Sequence, residues 1–250
     1  SETGLWVDGR YFIQAEKQLG QSPVVLYRMG EEGVPTVKEY VEKNLPEGGC
    51  LGFDGRVVNA KAGEDYGKIA EGKQGTVFVD EDLMGIIWKE RPELPKNPVF
   101  ILEEKYAGES TKSKLKRLRE KMAEKGADVH ILTSLYDIAW LFNIRGGDID
   151  HVPVALSFAA ITQQESFWFI QGEALDGSLL EYCSANKITI LPYGEIYSYA
   201  AKIPEYETVL LDKNIVNYRI FHSLGENVKV VSEANPTELM KAIKNGTELS

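Results

Sequence analysis

Apolar positions along this chain change period repeatedly, from the two-residue alternation of strands to the three-to-four-residue spacing of helices. Leu5 to Val7 is a short β-type run, and after the Asp8-Gly9 turn Tyr11 to Leu19 has helical spacing. Val24 to Arg28 is β-rich and bounded by Ser22-Pro23 and Gly30. A helix is predicted over Thr36 to Asn44, with Pro35 and Thr36 at its start and Pro46 closing it. Cys50 to Phe53 and Val77 to Val79 read as short strands, and Asp80 to Lys89 as a helix capped by Asp80 or Asp82. Prolines 92, 95 and 98 then hold the backbone extended, which marks the best linker candidate in the sequence.

Beyond Tyr106 the pattern is that of a second α/β unit. Ser110 is placed to cap a helix running to Lys125, and Gly126 suits the left-handed position after its end. Val129 to Thr133 is a strand and Leu135 to Phe142 a short helix. Pro153 to Thr162 and Ser166 to Gln171 are strands joined by the polar turn Gln163-Gln164-Glu165, hence antiparallel. Helices over Leu175 to Ser184 and Ile196 to Lys202 alternate with strands at Ile188 to Leu191, Val209 to Asp212 and Val228 to Val231, and Glu238 to Lys244 is helical again. This order predicts α/β architecture, a mixed sheet with helices on its faces.

Composition narrows the functional classes. With 43% hydrophobic and 26% charged residues in 250, the chain has enough apolar surface for one large domain or two ordinary ones. Its longest apolar stretches, such as Val152 to Ile161, are too short to span a bilayer, and no membrane partner is expected. Cys50 and Cys183 are too few for a disulfide framework, which favours a reducing, cytoplasmic setting. A net charge of −10 opposes phosphate-backbone binding, so no nucleic-acid partner is expected. The one dense basic run, Lys112 to Lys125, is interleaved with Leu115, Leu118 and Met122 and reads as a solvated helix face.

Candidate chemistry is sparse. A dinuclear metal centre needs several carboxylates and a histidine, yet the chain has only His130, His151 and His222. His130 falls inside an apolar strand and His222 in a helix-like segment, both structural settings. Cys183 reads as a buried, inert thiol on a helix. Gly63 to Gly67 and Gly72 to Gly75 lack the ending of a phosphate loop and read as flexible turns. No catalytic, cofactor-binding or metal-ligating residue is therefore assigned. One cluster stands out in the connector after Trp140: Arg145, Asp148, Asp150 and His151, with Gly146 and Gly147 supplying backbone freedom. Asp148 or Asp150 paired with Arg145 would pin the loop. Alternatively, several charged side chains on a loop carried by a rigid sheet would make a binding or interdomain surface.

The stretch Trp140 to Thr162, read with Gly4 to Gln18, resembles the non-catalytic front half of aminopeptidase P, the Xaa-Pro aminopeptidase branch of the creatinase/prolidase family. Leu45 to Gly48, Gly52 to Asp54, Ile87-Trp88 followed by Arg91 to Glu93, and Lys241 to Asn245 extend the resemblance in order over nearly the whole chain. It implies two ribonuclease-H-like units, at 1–104 and 105–232, with 233–250 as linker and start of a catalytic domain. That third domain would hold two divalent metals, usually manganese, through aspartates, a histidine and glutamates, none of which can be placed on this sequence. Relatives typically have Asn-Pro where this chain has Val152-Pro153, which removes any polar role at that position. The resemblance implies a portion that is inactive alone and that shapes substrate access and assembly. Its partners would be its own catalytic domain, a proline-containing peptide and further copies of itself. The rival reading is a stand-alone module binding a peptide or basic protein. A front strand missing ahead of Gly4 would leave the Leu5 to Val7 edge open to self-association.

Overall fold

Caps and periodicity account for most element boundaries in the computed structural model, which describes residues 2–250. The chain divides into two units: one comprises the chain up to Phe53 with Glu64–Glu81, the other Asp54–Gly63 with Asp82–Ser250.

In the smaller unit β1 (Gly4–Val7) leads to α1 (Phe12–Leu19), then β2 (Val25–Arg28), α2 (Val37–Asn44) and β3 (Cys50–Gly52). Helix α3 (Ala60–Gly72), which starts within the larger unit's Asp54–Gly63 segment, and β4 (Thr76–Phe78) follow. The strands form two parallel pairs, β1 with β2 and β3 with β4. Trp6 stacks on Tyr27 with ring centroids 4.1 Å apart and donates from Nε1 to the Pro35 carbonyl at 2.8 Å. Thr36 and Glu39 form a reciprocal capping box that starts α2 as the sequence predicts.

Helix α3 departs from the sequence reading, which took its glycines for turns. Asn59 caps it by accepting from the Ala62 amide at 2.8 Å. Gly63 lies against the Tyr218 ring, where any Cβ would clash. Glycine is disfavoured in a helix by about 1 kcal/mol, so local preference hides an element that close packing requires.

The larger unit continues through α4 (Leu83–Ile87), β5 (Phe100–Ile101), α5 (Glu104–Ala107), α6 (Thr111–Glu124), β6 (Val129–Leu132), α7 (Leu135–Leu141) and β7 (Ile144–Arg145). Strands β8 (Ser157–Thr162) and β9 (Ser166–Ile170) precede α8 (Gly177–Ala185), β10 (Ile188–Pro192) and α9 (Glu195–Ala201). Next come β11 (Thr208–Leu211), α10 (Tyr218–Ser223), β12 (Lys229–Ser232), α11 (Pro236–Ala242) and α12 (Gly246–Leu249). A six-stranded mixed sheet runs β10-β9-β8-β6-β11-β12, antiparallel only where β8 meets β9 and β6. The α/β class with helices on the sheet faces holds here.

Successive strand residues point to opposite faces, and both faces are covered. Leu132, Ala159, Ile161, Trp168 and Leu210 pack with residues of α6, α7, α8 and α11. Ile131, Phe158, Ala160, Phe169 and Leu211 pack with α9 and α10. This double burial explains why these strands read as continuous apolar runs.

Lys114 corrects the picture of a solvated basic helix. It is 1% exposed and shares the buried stripe of α6 with Thr111, Leu115, Leu118 and Met122. His130 is fully buried in β6, and its Nδ1 donates to the Leu210 carbonyl at 3.0 Å, leaving Nε2 a bare acceptor. Burial pushes its pKa down to about 4. The unfolded chain therefore binds the extra proton between about pH 6.5 and 4, and this contribution, complete above that window, is lost as pH falls through it. At 1.36 kcal/mol per pKa unit the loss approaches about 3 kcal/mol. Denaturation midpoints of the wild type and His130→Asn should thus converge between pH 6.5 and 4; a constant difference contradicts the assignment.

Candidate functional site

The charged connector between α7 and β8 is built on the end of a helix. Helix termini leave carbonyls without partners, and the last turn of α7 has three supplied by side chains. Arg145 donates from Nη1 to the carbonyls of Ala139 at 3.0 Å and Ile144 at 2.8 Å. Lys114 Nζ donates to the Trp140 carbonyl at 2.9 Å and to Asn143 Oδ1 at 2.6 Å, and sits 4.4 Å from the centre of the Trp140 ring. Tyr182 donates its hydroxyl to the Phe142 carbonyl at 3.1 Å. Both cations lie where the helix dipole is negative. Burial lowers the pKa of Arg145, and that of Lys114 to about 8, so the lysine is still mainly charged at neutral pH.

Asn143 turns the chain with φ +51° and donates from Nδ2 to the Glu109 carbonyl at 2.8 Å. Strand β7 then pairs antiparallel with β5, Ile144 opposite Ile101 and Arg145 opposite Phe100. At Gly146 two backbone segments nearly touch: a Cβ there would be 2.9 Å from Ala155 Cβ and 3.0 Å from the Val154 carbonyl oxygen. Only glycine fits without displacement.

Asp148 pins the loop. Its Oδ1 accepts from the Asn97 amide at 3.0 Å and its Oδ2 from the Leu156 amide at 2.8 Å. Its own amide donates to the Val154 carbonyl at 3.1 Å, and Asn97 Nδ2 donates to the Gly147 carbonyl at 2.8 Å. The pin is carboxylate to backbone, not the carboxylate–guanidinium pair that the sequence suggests. Beyond it Ile149 to Val152 form a tight turn, closed by the Val152 amide on the Ile149 carbonyl at 3.1 Å. Asp150 and His151 are exposed at its tip, and His151 has φ +64°. The structure thus brings Arg145 and Asp148 into the loop's framework and leaves Asp150 and His151 to solvent.

Both Asp148 oxygens are engaged, and among the described residues no group of three His, Cys, Asp or Glu is placed to hold a metal ion. Burial raises the Cys183 pKa to about 11, so its sulfur is a neutral thiol. His222 is stacked on Tyr218. Sequence reasoning missed the support beneath the loop, namely Lys114, Asn97 and Asn143. The available signal was Asn143 itself, since asparagine at a helix end favours the left-handed region. It also missed buried Asp137, which pairs with Lys241 and accepts from Asn235 Nδ2 at 3.4 Å, fixing α11 against α7.

Comparison with known proteins fits this architecture. A family model described as the creatinase/prolidase N-terminal domain matches residues 90–248. A probable Xaa-Pro aminopeptidase P of Coprinopsis cinerea is 34% identical, the match covering 98% of this chain and 42% of the relative. The Xaa-Pro aminopeptidase app-1 of Caenorhabditis elegans is 31% identical over 99% of this chain and 41% of its own length. A solved structure of X-prolyl aminopeptidase from Caenorhabditis elegans, described as a cytosolic enzyme with a di-nuclear active site, superposes with a TM-score of 0.91 at 32% identity. It covers 99% of this chain and 41% of that one. The chain thus spans about two fifths of the length of the relatives it matches.

Asp148→Ala removes both charge-assisted acceptors and should lower stability by about 2 kcal/mol, since bonds to charged groups are worth roughly 1.5–3 kcal/mol. His151→Gly should leave stability unchanged or raise it by up to about 1 kcal/mol, because glycine adopts positive φ freely. Thermal denaturation distinguishes the two; equal effects would contradict the assigned roles.

Proposed function

This chain belongs to the creatinase/prolidase N-terminal domain family, and from that membership we propose that it is the non-catalytic N-terminal portion of a metal-dependent Xaa-Pro aminopeptidase. The parent enzyme hydrolyses the bond between an N-terminal residue and the proline after it, using two divalent ions, manganese by preference, in a following domain. In this reading 1–104 and 105–232 are successive N-terminal-type domains, and 233–250 leads into the catalytic one. The parent is cytoplasmic, as the Caenorhabditis elegans enzyme is described. The Arg145 to His151 loop faces the approach of the proline-containing peptide, and the N-terminal units contribute to homo-oligomer assembly.

One observation carries the proposal: the match to a dinuclear aminopeptidase runs through nearly all of this chain but less than half of that enzyme. The described residues offer no ligand set of their own. What this chain supplies is shape: a double-faced sheet, a loop fixed by Asp148, and helix α11 tied down through Asp137 and Lys241.

The 250-residue chain assayed on an Xaa-Pro dipeptide and tripeptide with excess manganese should show no turnover above buffer, whereas the longer polypeptide of its gene should be active. Turnover by the short chain that disappears with His151→Ala or Asp148→Ala would overturn the proposal.

A further inference from the structure

A cavity of about 410 Å³ opens in the larger unit, away from the loop, between the β8–β9 turn and α9. Two aromatic rings line it: Phe167 and Tyr199 lie 5.1 Å apart with planes tilted by 49°. Its other determinants are three carboxylates, Glu165, Glu195 and Glu207, and one ammonium, Lys202. Glu195 is partly engaged, accepting from Ser198 Oγ at 2.5 Å. The side chains of Glu165 and Glu207 make no hydrogen bond or ion pair with any described residue, and Glu207 is half-buried.

We infer that this cavity binds a basic side chain, the guanidinium or ammonium group of an arginine or lysine carried on a polypeptide. Aromatic faces attract organic cations through their quadrupole and cover the methylenes of the side chain. A hard divalent ion needs a shell of six or more oxygens and gains nothing from aromatic rings, so the mixed lining selects an organic cation. The unneutralised carboxylates supply the charge. Burial and the neighbouring Asp128 raise the Glu207 pKa, and the Tyr199 phenol is pushed up to about 12 by burial and by Glu207 and Glu165. Both shifts are those of a partly desolvated site whose three carboxylates outnumber its one ammonium. Lys202 is exposed at the rim, so it weakens the field without filling the pocket. The inference does not rest on the proposed function.

The test is titration of the isotope-labelled chain with acetyl-Gly-Arg-Gly-amide, beside its citrulline counterpart of equal shape and no charge. Amide shifts should centre on residues around Glu165, Tyr199 and Glu207, with the citrulline peptide at least about fivefold weaker. Glu207→Gln should weaken binding by about fivefold, and Lys202→Ala should strengthen it about twofold or more, both being surface changes that leave the fold intact. Equal binding of the two peptides, shifts mapping elsewhere, or no shifts up to about 10 mM peptide, a free energy near −3 kcal/mol, would each overturn the assignment.

Discussion

Burial of both faces of the six-stranded sheet is the constraint from which the larger unit follows. A sheet with no wet face requires every inward side chain to be apolar or fully hydrogen-bonded. It also requires the connections that leave it to find partners for their own backbone groups. The ten-odd residues between β7 and β8 are such a connection. Asp148 meets the requirement by accepting from amides on two separate segments, Asn97 and Leu156. The helix that delivers the chain to this point ends on Lys114, Arg145 and Tyr182, all turned onto its last carbonyls.

Much of this was legible in the sequence, and the failures have physical causes. Strands β6, β8 and β9 were visible as apolar runs, and the caps at Thr36, Ser110 and Gly126 fell where residue chemistry placed them. Helix α3 was hidden because Gly63, Gly67 and Gly72 weaken helical preference, while the packing that demands Gly63 is set by Tyr218, distant in sequence. Helix α4 is shorter than the apolar pattern suggests, since Asp82 rather than Asp80 caps it and the chain leaves helical geometry at Trp88. Strand β8 begins at Ser157 and not at Pro153, because the residues before it are drawn into the loop by Val154 and Leu156.

The site was half legible. Arg145, Asp148, Asp150 and His151 stand out in the sequence as one charged cluster, but charge alone does not say which members face inward. Pairing Arg145 with Asp148 or Asp150 was the natural guess from opposite charges. The structure instead sends Arg145 and Asp148 to backbone groups, where a charged partner satisfies an otherwise orphaned carbonyl or amide. Lys114 was invisible for the complementary reason: in a basic run it looks solvated, and only the register of α6 buries it.

The central claim is that the loop after β7 is preorganised by Asp148. Native-state amide hydrogen exchange of the intact chain tests it most directly, through the amides of Asn97 and Leu156, which have no acceptor other than that carboxylate among the described residues. Both lie outside the sheet ladders, so exposure alone would let them exchange within the range of mobile loops. The account predicts that they are protected together, to an extent approaching the strand amides of β8, and that Asp148→Asn releases both at once. Exchange of either amide at the rate of an unstructured peptide in the wild type would contradict it.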